Sequence, residues 1–144
     1  MIERSKKTDL EAIYALMCEL ENHTLDKTHF TSTFLAQLNN EDIVYLVARQ
    51  DTILGFISLA VHHYLHHDHD TGEIVELVVR PECRGQQIGK QLLQAAEQIA
   101  VARGLEQLEL ATSTYRKRAH HFYEKNGYEM LHYNYTKNLP GYEQ

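Results

Sequence analysis

The stretch Val78-Val79-Arg80-Pro81-Glu82-Cys83-Arg84-Gly85-Gln86-Gln87-Ile88-Gly89-Lys90 joins a β-type apolar run to a helical pattern through a short glycine-containing loop. Pro81 stops the strand, and the glycines let the backbone turn sharply. The first helical turn leaves its N–H groups free, and the helix dipole adds partial positive charge there. Consecutive loop N–H groups can also form an anion-holding nest. A strand that turns this way into a helix N-terminus is a place where phosphate groups bind.

The flanks decide how much weight the junction carries. The chain has 144 residues, the size of one domain, and one domain over 1–144 is expected. Its net charge of −6 disfavours general nucleic-acid or anionic-membrane binding, so neither is expected as a partner. No apolar run approaches the ~20 residues that span a bilayer. Met1-Ile2-Glu3-Arg4 runs straight into patterned sequence, and two cysteines make no disulfide framework. A reduced, cytoplasmic protein is expected.

Apolar periodicity orders the elements. Ile2 to Ser5 reads as a short strand, and Thr8-x-x-Glu11 reads as a capping box. Leu10, Ile13, Leu16, Met17 and Leu20 then recur at helical spacing. A second helix is expected over 28–38. Ile43 to Ala48 and Ile53 to His63 form a predicted hairpin, and Glu73 to Val79 reads as a buried central strand. Ile88, Leu92, Leu93, Ala96, Ile99 and Ala100 share one face of a helix that Gly104 ends. A strand over 107–111, a short helix over 118–125, and closing strands over 128–131 and 133–138 complete the order. That order, β-α-α-β-β-β-α-β-α-β-β, predicts an α/β fold (an α+β mixed sheet).

With its loop, this order resembles the GNAT superfamily of acyl-CoA-dependent N-acyltransferases. Val79-Arg80-Pro81 followed by Arg84-Gly85-Gln86-Gln87-Ile88-Gly89 is similar to the family's coenzyme loop. Phe122-Tyr123-Glu124-Lys125-Asn126-Gly127-Tyr128 is similar to its second motif. Gln87 stands where the family loop has its first glycine, and Arg116 stands where many relatives carry Asn. Gln87 is therefore where the template is expected to fit worst. Within the superfamily, Leu65-His66-His67, Gly72 to Val79, and Ala119-His120 before Phe122-Tyr123 resemble the aminoalkylphosphonate N-acetyltransferases.

The resemblance implies a direct transfer of acetyl from acetyl-CoA to a primary amine, and it implies site residues. Leu77, Val78 and Val79 would pair with the acetyl-pantetheine arm through their backbone. Amides of Gly85, Gln86, Gln87, Ile88, Gly89 and Lys90 would hold the pyrophosphate, with Arg84 and Lys90 adding charge and Arg116 reaching the arm. Tyr123 matches the general acid that protonates the leaving sulfur. Glu73 and Glu76 are both candidates for the base. Three residues apart, they face opposite sides of a regular strand, which only a bulge would change.

The segment from His62 to Asp70 holds five of the ten histidines. Imidazole and carboxylate are ligand types for Zn, Ni or Mn, and the resemblance allows a divalent metal on His66 and His67. His63, His66, His67 and Arg118 are alternatively a set that binds an anionic substrate. The expected substrate is a small amine, an aminoalkylphosphonate or a similar amino acid-like anion. Rival readings are a polyamine, an aminoglycoside or a protein N-terminus as acceptor, or a non-catalytic acyl-CoA sensor. Homodimers are common in the family, so a homodimer is a further expectation by resemblance.

Overall fold

A computed structural model describes residues 1–143. The first compact unit, Met1–Leu110, holds a five-stranded sheet and three helices, and a second unit begins at Ala111. The sheet is built from β1 (Ile2–Arg4), β2 (Ile43–Arg49), β3 (Ile53–His62), β4 (Thr71–Val79) and β5 (Leu108–Glu109). The strands lie in chain order. The first four are antiparallel, and β5 joins β4 in parallel. The mixed α/β class expected from periodicity is what forms.

Two helical layers cover the sheet. Helix α1 (Leu10–Glu21) buries Ile13, Leu16 and Met17, and α2 (Lys27–Leu38) buries Phe34. They pack on Tyr45, Val47, Ile53, Phe56 and Val78 in one cluster. Aromatic contacts run through it, with ring centroids 5.3 Å apart for Phe34–Tyr45 and 5.2 Å for Tyr45–Phe56. Helix α3 (Ile88–Ala102) lies against the opposite face. A Cβ placed on Gly55 of β3 would meet Leu92 Cδ1 at 3.0 Å and Ile88 Cγ2 at 3.4 Å, so α3 packs closely on Gly55. A partly buried ion network ties the N-terminus down. Arg49 bonds Glu3 and, at 2.8 Å, Asp9, which is 5% exposed. Burial alone would raise the Asp9 carboxyl, but Arg49 and the Lys6 N–H outweigh it and hold it low.

Helix ends follow the expected chemistry with one exception. α3 ends in a Schellman motif: Gly104 takes φ 74, the Leu105 N–H donates to Ala100, and the Gly104 N–H donates to Val101. Thr8 and Glu11 form no capping box. Lys7–Asp9 is a single 3-10 turn instead, in which Asp9 accepts from the Lys6 N–H at 2.8 Å. Glu11 pairs with Lys27 at 2.7 Å, tying α1 to α2.

The second unit holds α4 (Lys117–Lys125). The expected closing strands over 128–131 and 133–138 are not formed: residues 128–139 carry no regular secondary structure. Their alternating aromatic pattern states a preference for extended backbone. A strand also needs a ladder partner, and none is paired with them among the described residues.

Candidate active site

The register of β4 against β3 decides which side chains meet. Glu76 pairs with Ser58, but the next pair is Ile74 with Leu59, so Val75 is an extra residue in β4. This is a β-bulge. Ser58 and Ala60 are two apart on β3 and share a face. Their partners Glu76 and Glu73 therefore share that face too, the one under α1. The two candidate bases, three residues apart in sequence, become neighbours. Val75 takes up the slack and is 46% exposed.

Around Glu76 the surroundings are polar but mostly dry. Tyr45, Ser58 and Glu76 form a row across β2, β3 and β4. Ser58 Oγ donates to Glu76 Oε1, and the Glu76 N–H donates back to Ser58 Oγ at 3.0 Å. Tyr45 donates its phenol proton to Gln37 of α2. Burial pushes the Glu76 carboxyl above the ordinary carboxylate range. The Ser58 hydrogen bond pulls it back down, and the charges of Glu73 and Glu21 push it further up. A carboxyl held this way is suited to accepting a proton near neutral pH. Burial and the Glu76 charge in turn hold the Tyr45 phenol far above its usual value.

Glu73 has its own partner, as its Oε1 lies 2.8 Å from His62 Nε2. From His62 a row of rings leads away. Centroids are 5.1 Å apart for His62–Tyr64, 5.3 Å for Tyr64–His66 and 4.6 Å for His66–His67. Burial, then the charges of Glu109 and Glu73, raise the Tyr64 phenol. The histidine segment is a turn rather than a strand extension, since β3 ends at His62. Its side chains are already engaged. His63 lies between Asp42 at 2.8 Å and Asp70 at 2.9 Å, and His67 lies 3.5 Å from Glu106. No three His, Cys, Asp or Glu side chains among the described residues are arranged to hold a metal. The metal expected on His66 and His67 is therefore not supported. Asp42, Asp70, Glu73 and Glu106 are each engaged by an imidazole or a backbone N–H.

The rest of β4 leads to the glycine loop. β5 pairs only with Gly72 and Glu73, so the ladder on that side stops there, and Ile74 to Val79 have no strand partner along that edge among the described residues. Leu77, Val78 and Val79 are bonded to β3 on the other edge. Beyond Pro81–Cys83, Gly85 takes φ 87, and Gln87 takes φ 66 and ψ 12. Two left-handed residues around Gln86 curl the loop before α3 begins at Ile88. Gln87 thus keeps the left-handed hand that glycine would supply, at a steric cost of roughly 1 kcal/mol. The N–H groups of Ile88, Gly89 and Lys90 lie in the first turn of α3 and have no intrahelical acceptor. Nothing stands within 4 Å of where a Gly85 Cβ would be. The loop is open to an anion.

In the second unit, α4 carries Arg118 exposed and Tyr123 half-buried, and Arg116 is its N-cap residue. The motif spacing has a local cause. Gly127 takes φ 93, the Tyr128 N–H donates to Tyr123 at 3.0 Å, and the Gly127 N–H donates to Glu124 at 3.1 Å. In this Schellman cap the residue after the glycine packs on the residue five before it. The Tyr123 and Tyr128 rings are 6.0 Å apart. Burial raises the Tyr123 phenol, and Arg116 opposes the shift. The phenol stays protonated at neutral pH.

The sequence profile of the "Acetyltransferase (GNAT) family" matches residues 10–128. The chain belongs to the GNAT acetyltransferase family. Like its GNAT relatives, it is an N-acetyltransferase. It is 44% identical over 132 residues to the aminoalkylphosphonate N-acetyltransferase of Salmonella typhimurium, covering 91% of this chain and 86% of that one. Two crystal structures share the GNAT fold. A transcriptional regulator from Bacillus halodurans C-125 has a TM-score of 0.89 at 22% identity, over 96% of this chain and 99% of that one. An aminoglycoside N-acetyltransferase in complex with CoA has a TM-score of 0.86 at 18% identity, over 97% and 94%. The resemblance read from the two motifs holds, and the non-catalytic sensor reading falls.

Sequence reasoning missed Ser58 and Glu21. Ser58 is the one hydroxyl in the apolar run Ile53–Val61. A lone polar group in a buried strand must find a partner, and that signal was available. Glu21 carries no such mark, because as an exposed residue at the end of α1 it looks like any solvated acid.

Proposed function

We propose that this GNAT enzyme transfers acetyl from acetyl-CoA to the primary amine of a small anion, an aminoalkylphosphonate or a similar amino acid-like molecule. One observation carries the reading: the Val75 bulge gathers Glu73 and Glu76 on one face of the strand whose opposite edge is left unpaired. An ammonium ion can be met by the two carboxylates. Glu76 takes its proton, because its raised affinity for protons matches the task and Glu73 is engaged by His62. The free amine then attacks; the C–N bond forms as the C–S bond breaks, and the second proton that the nitrogen releases on amide formation replaces the one Tyr123 gives up. Tyr123 gives its phenol proton to the leaving sulfur and is the proposed general acid. Acetyl-CoA supplies the activated acyl carbon.

The residues present suit that cosubstrate. The unpaired edge of Leu77, Val78 and Val79 offers β-type hydrogen bonds to an extended arm, and Arg116 is assigned to that arm as well. The Gly85–Lys90 amides, with Arg84, suit a pyrophosphate. Imidazoles of the row ending in His66 and His67, together with His63 and Arg118, are proposed to meet the anionic end of the substrate. The family match spans residues 10–128, which supports one catalytic domain. A cytoplasmic setting fits its two free cysteines. No helix among the described residues is long and apolar enough to cross a membrane.

A second reading has its own observation. Glu21, Glu73 and Glu76 are three carboxylates in electrostatic contact, which would suit a polyamine. Thiol release from acetyl-CoA with aminomethylphosphonate, spermidine and an aminoglycoside separates the readings. The phosphonate is expected to give the highest kcat/KM; faster turnover of spermidine would replace this substrate assignment. A thermal shift tests the cosubstrate: at ~100 times its Kd, acetyl-CoA stabilises by about 2.7 kcal/mol. No shift would remove acetyl-CoA from the mechanism.

A further inference from the structure

We infer that Ser58 is a positioning residue: its buried hydroxyl fixes the Glu76 carboxylate in the orientation that receives the proton of the amine. The inference rests on the assignment of Glu76 as base. Ser58 is 2% exposed, in a strand otherwise made of apolar residues. Burying a hydroxyl there is costly unless it is hydrogen-bonded. It is bonded twice to one residue, donating to the carboxylate and accepting the backbone N–H of Glu76 at 3.0 Å.

The bulge explains why both bonds are needed. Val75 interrupts the ladder, and the Glu76 N–H is bonded to Ser58 Oγ. The hydroxyl closes the irregularity in the strand and anchors the side chain with the same atom. The Glu76 carboxylate is thereby held at the same point as its own backbone N–H.

Other groups around Glu76 act against its ionised form. Glu73, on its own strand and bonded to His62, and Glu21, at the end of α1, are both acids. Tyr45 on β2 donates to Gln37 rather than to Glu76. Ser58 is the neighbour whose hydrogen bond favours the carboxylate. Its loss leaves burial and two acids unopposed.

The test is the pH dependence of kcat/KM with acetyl-CoA and aminomethylphosphonate, or spermidine if that is the faster acceptor. Activity rises with pH as the base ionises. Glu76→Gln should abolish that acid limb. Ser58→Ala should move it about one pH unit upward, with the KM for acetyl-CoA unchanged. Ser58→Cys keeps the volume with a weaker donor and should move the limb part of the way; it carries the test if Ser58→Ala does not fold. A limb at the wild-type pH in both Ser58 variants overturns the inference alone. A limb that survives in Glu76→Gln overturns the base assignment, and this inference with it.

Discussion

The two faces of the sheet are made from the same strands but obey different rules. Toward α3 the strands present Leu46, Ile57 and Leu77, and Val44, Leu59 and Ile74, all apolar. Toward α1 they present an aromatic cluster interrupted by the row Tyr45, Ser58, Glu76 and by Glu73. The first face only has to be filled. The second carries polar groups that the packing alone would exclude, each held by a named partner. A strand buried on both sides can thus serve as scaffold on one and as chemistry on the other, provided its period is broken once.

Substitutions on each face sharpen this contrast. On the α1 face, Glu76→Gln should reduce kcat by a factor on the order of 10² to 10⁴. The same change should raise Tm. The folded carboxyl has a raised proton affinity, so its contribution to stability is full below the unfolded value and is lost as pH rises through the folded one. At neutral pH the amide escapes that loss. Thermal melts from pH 4 to 8 would show it; a Glu76→Gln Tm below wild type at pH 7 would break the idea of a face held under electrostatic load. On the α3 face, Leu92, fully buried, should behave in the opposite way. Leu92→Ala should cost about 2–5 kcal/mol in denaturant unfolding, while turnover per folded molecule changes little. A large drop in turnover would mean that the two faces are not separable.

Smaller effects belong to the edges of the unit. Gln87→Gly removes left-handed strain in the coenzyme loop but loosens the unfolded chain, so a net gain under about 1 kcal/mol is expected, with acetyl-CoA affinity retained. Isothermal titration would detect a lost affinity, which would show that the Gln87 side chain, and not its backbone, matters. The smallest change concerns His63. Asp42 first, then Asp70, raise its proton affinity above the usual 6.5. That stabilisation is complete below pH 6.5 and fades as pH rises through the folded value. His63→Ala should flatten this slope in Tm and leave the rest of the curve alone.

Much of the fold could be read from the sequence because its signals are local. α3 announces itself by its apolar stripe and by Gly104, and the loop before it by Pro81 and Gly85. Tyr123 and Tyr128 are legible together because a helix cap sets their spacing. The bulge is different. Val75 lies in a run of strand residues, and nothing in the run distinguishes a regular ladder from one with a residue to spare; the partner strand decides. Ser58 meets Glu76 through the regular register beside the bulge, and Glu21 comes near it from α1. The closing strands fail for the same reason in reverse. Their alternation is present in 128–138, but the ladder that would realise it is not.

The spare residue at Val75 has a consequence for how such an enzyme can change. Ordinarily a side chain's allegiance to one layer or the other is fixed by counting, odd or even, along the strand. Here the count is odd between the two acids, yet they stand together. Loss of the Val75 codon alone would leave the acids two residues apart, and a regular ladder would still hold both on the layer under α1. The bulge can therefore be gained or lost by a one-residue insertion or deletion while the pair of acids stays together, a kind of step that comparing residues position by position would not reveal.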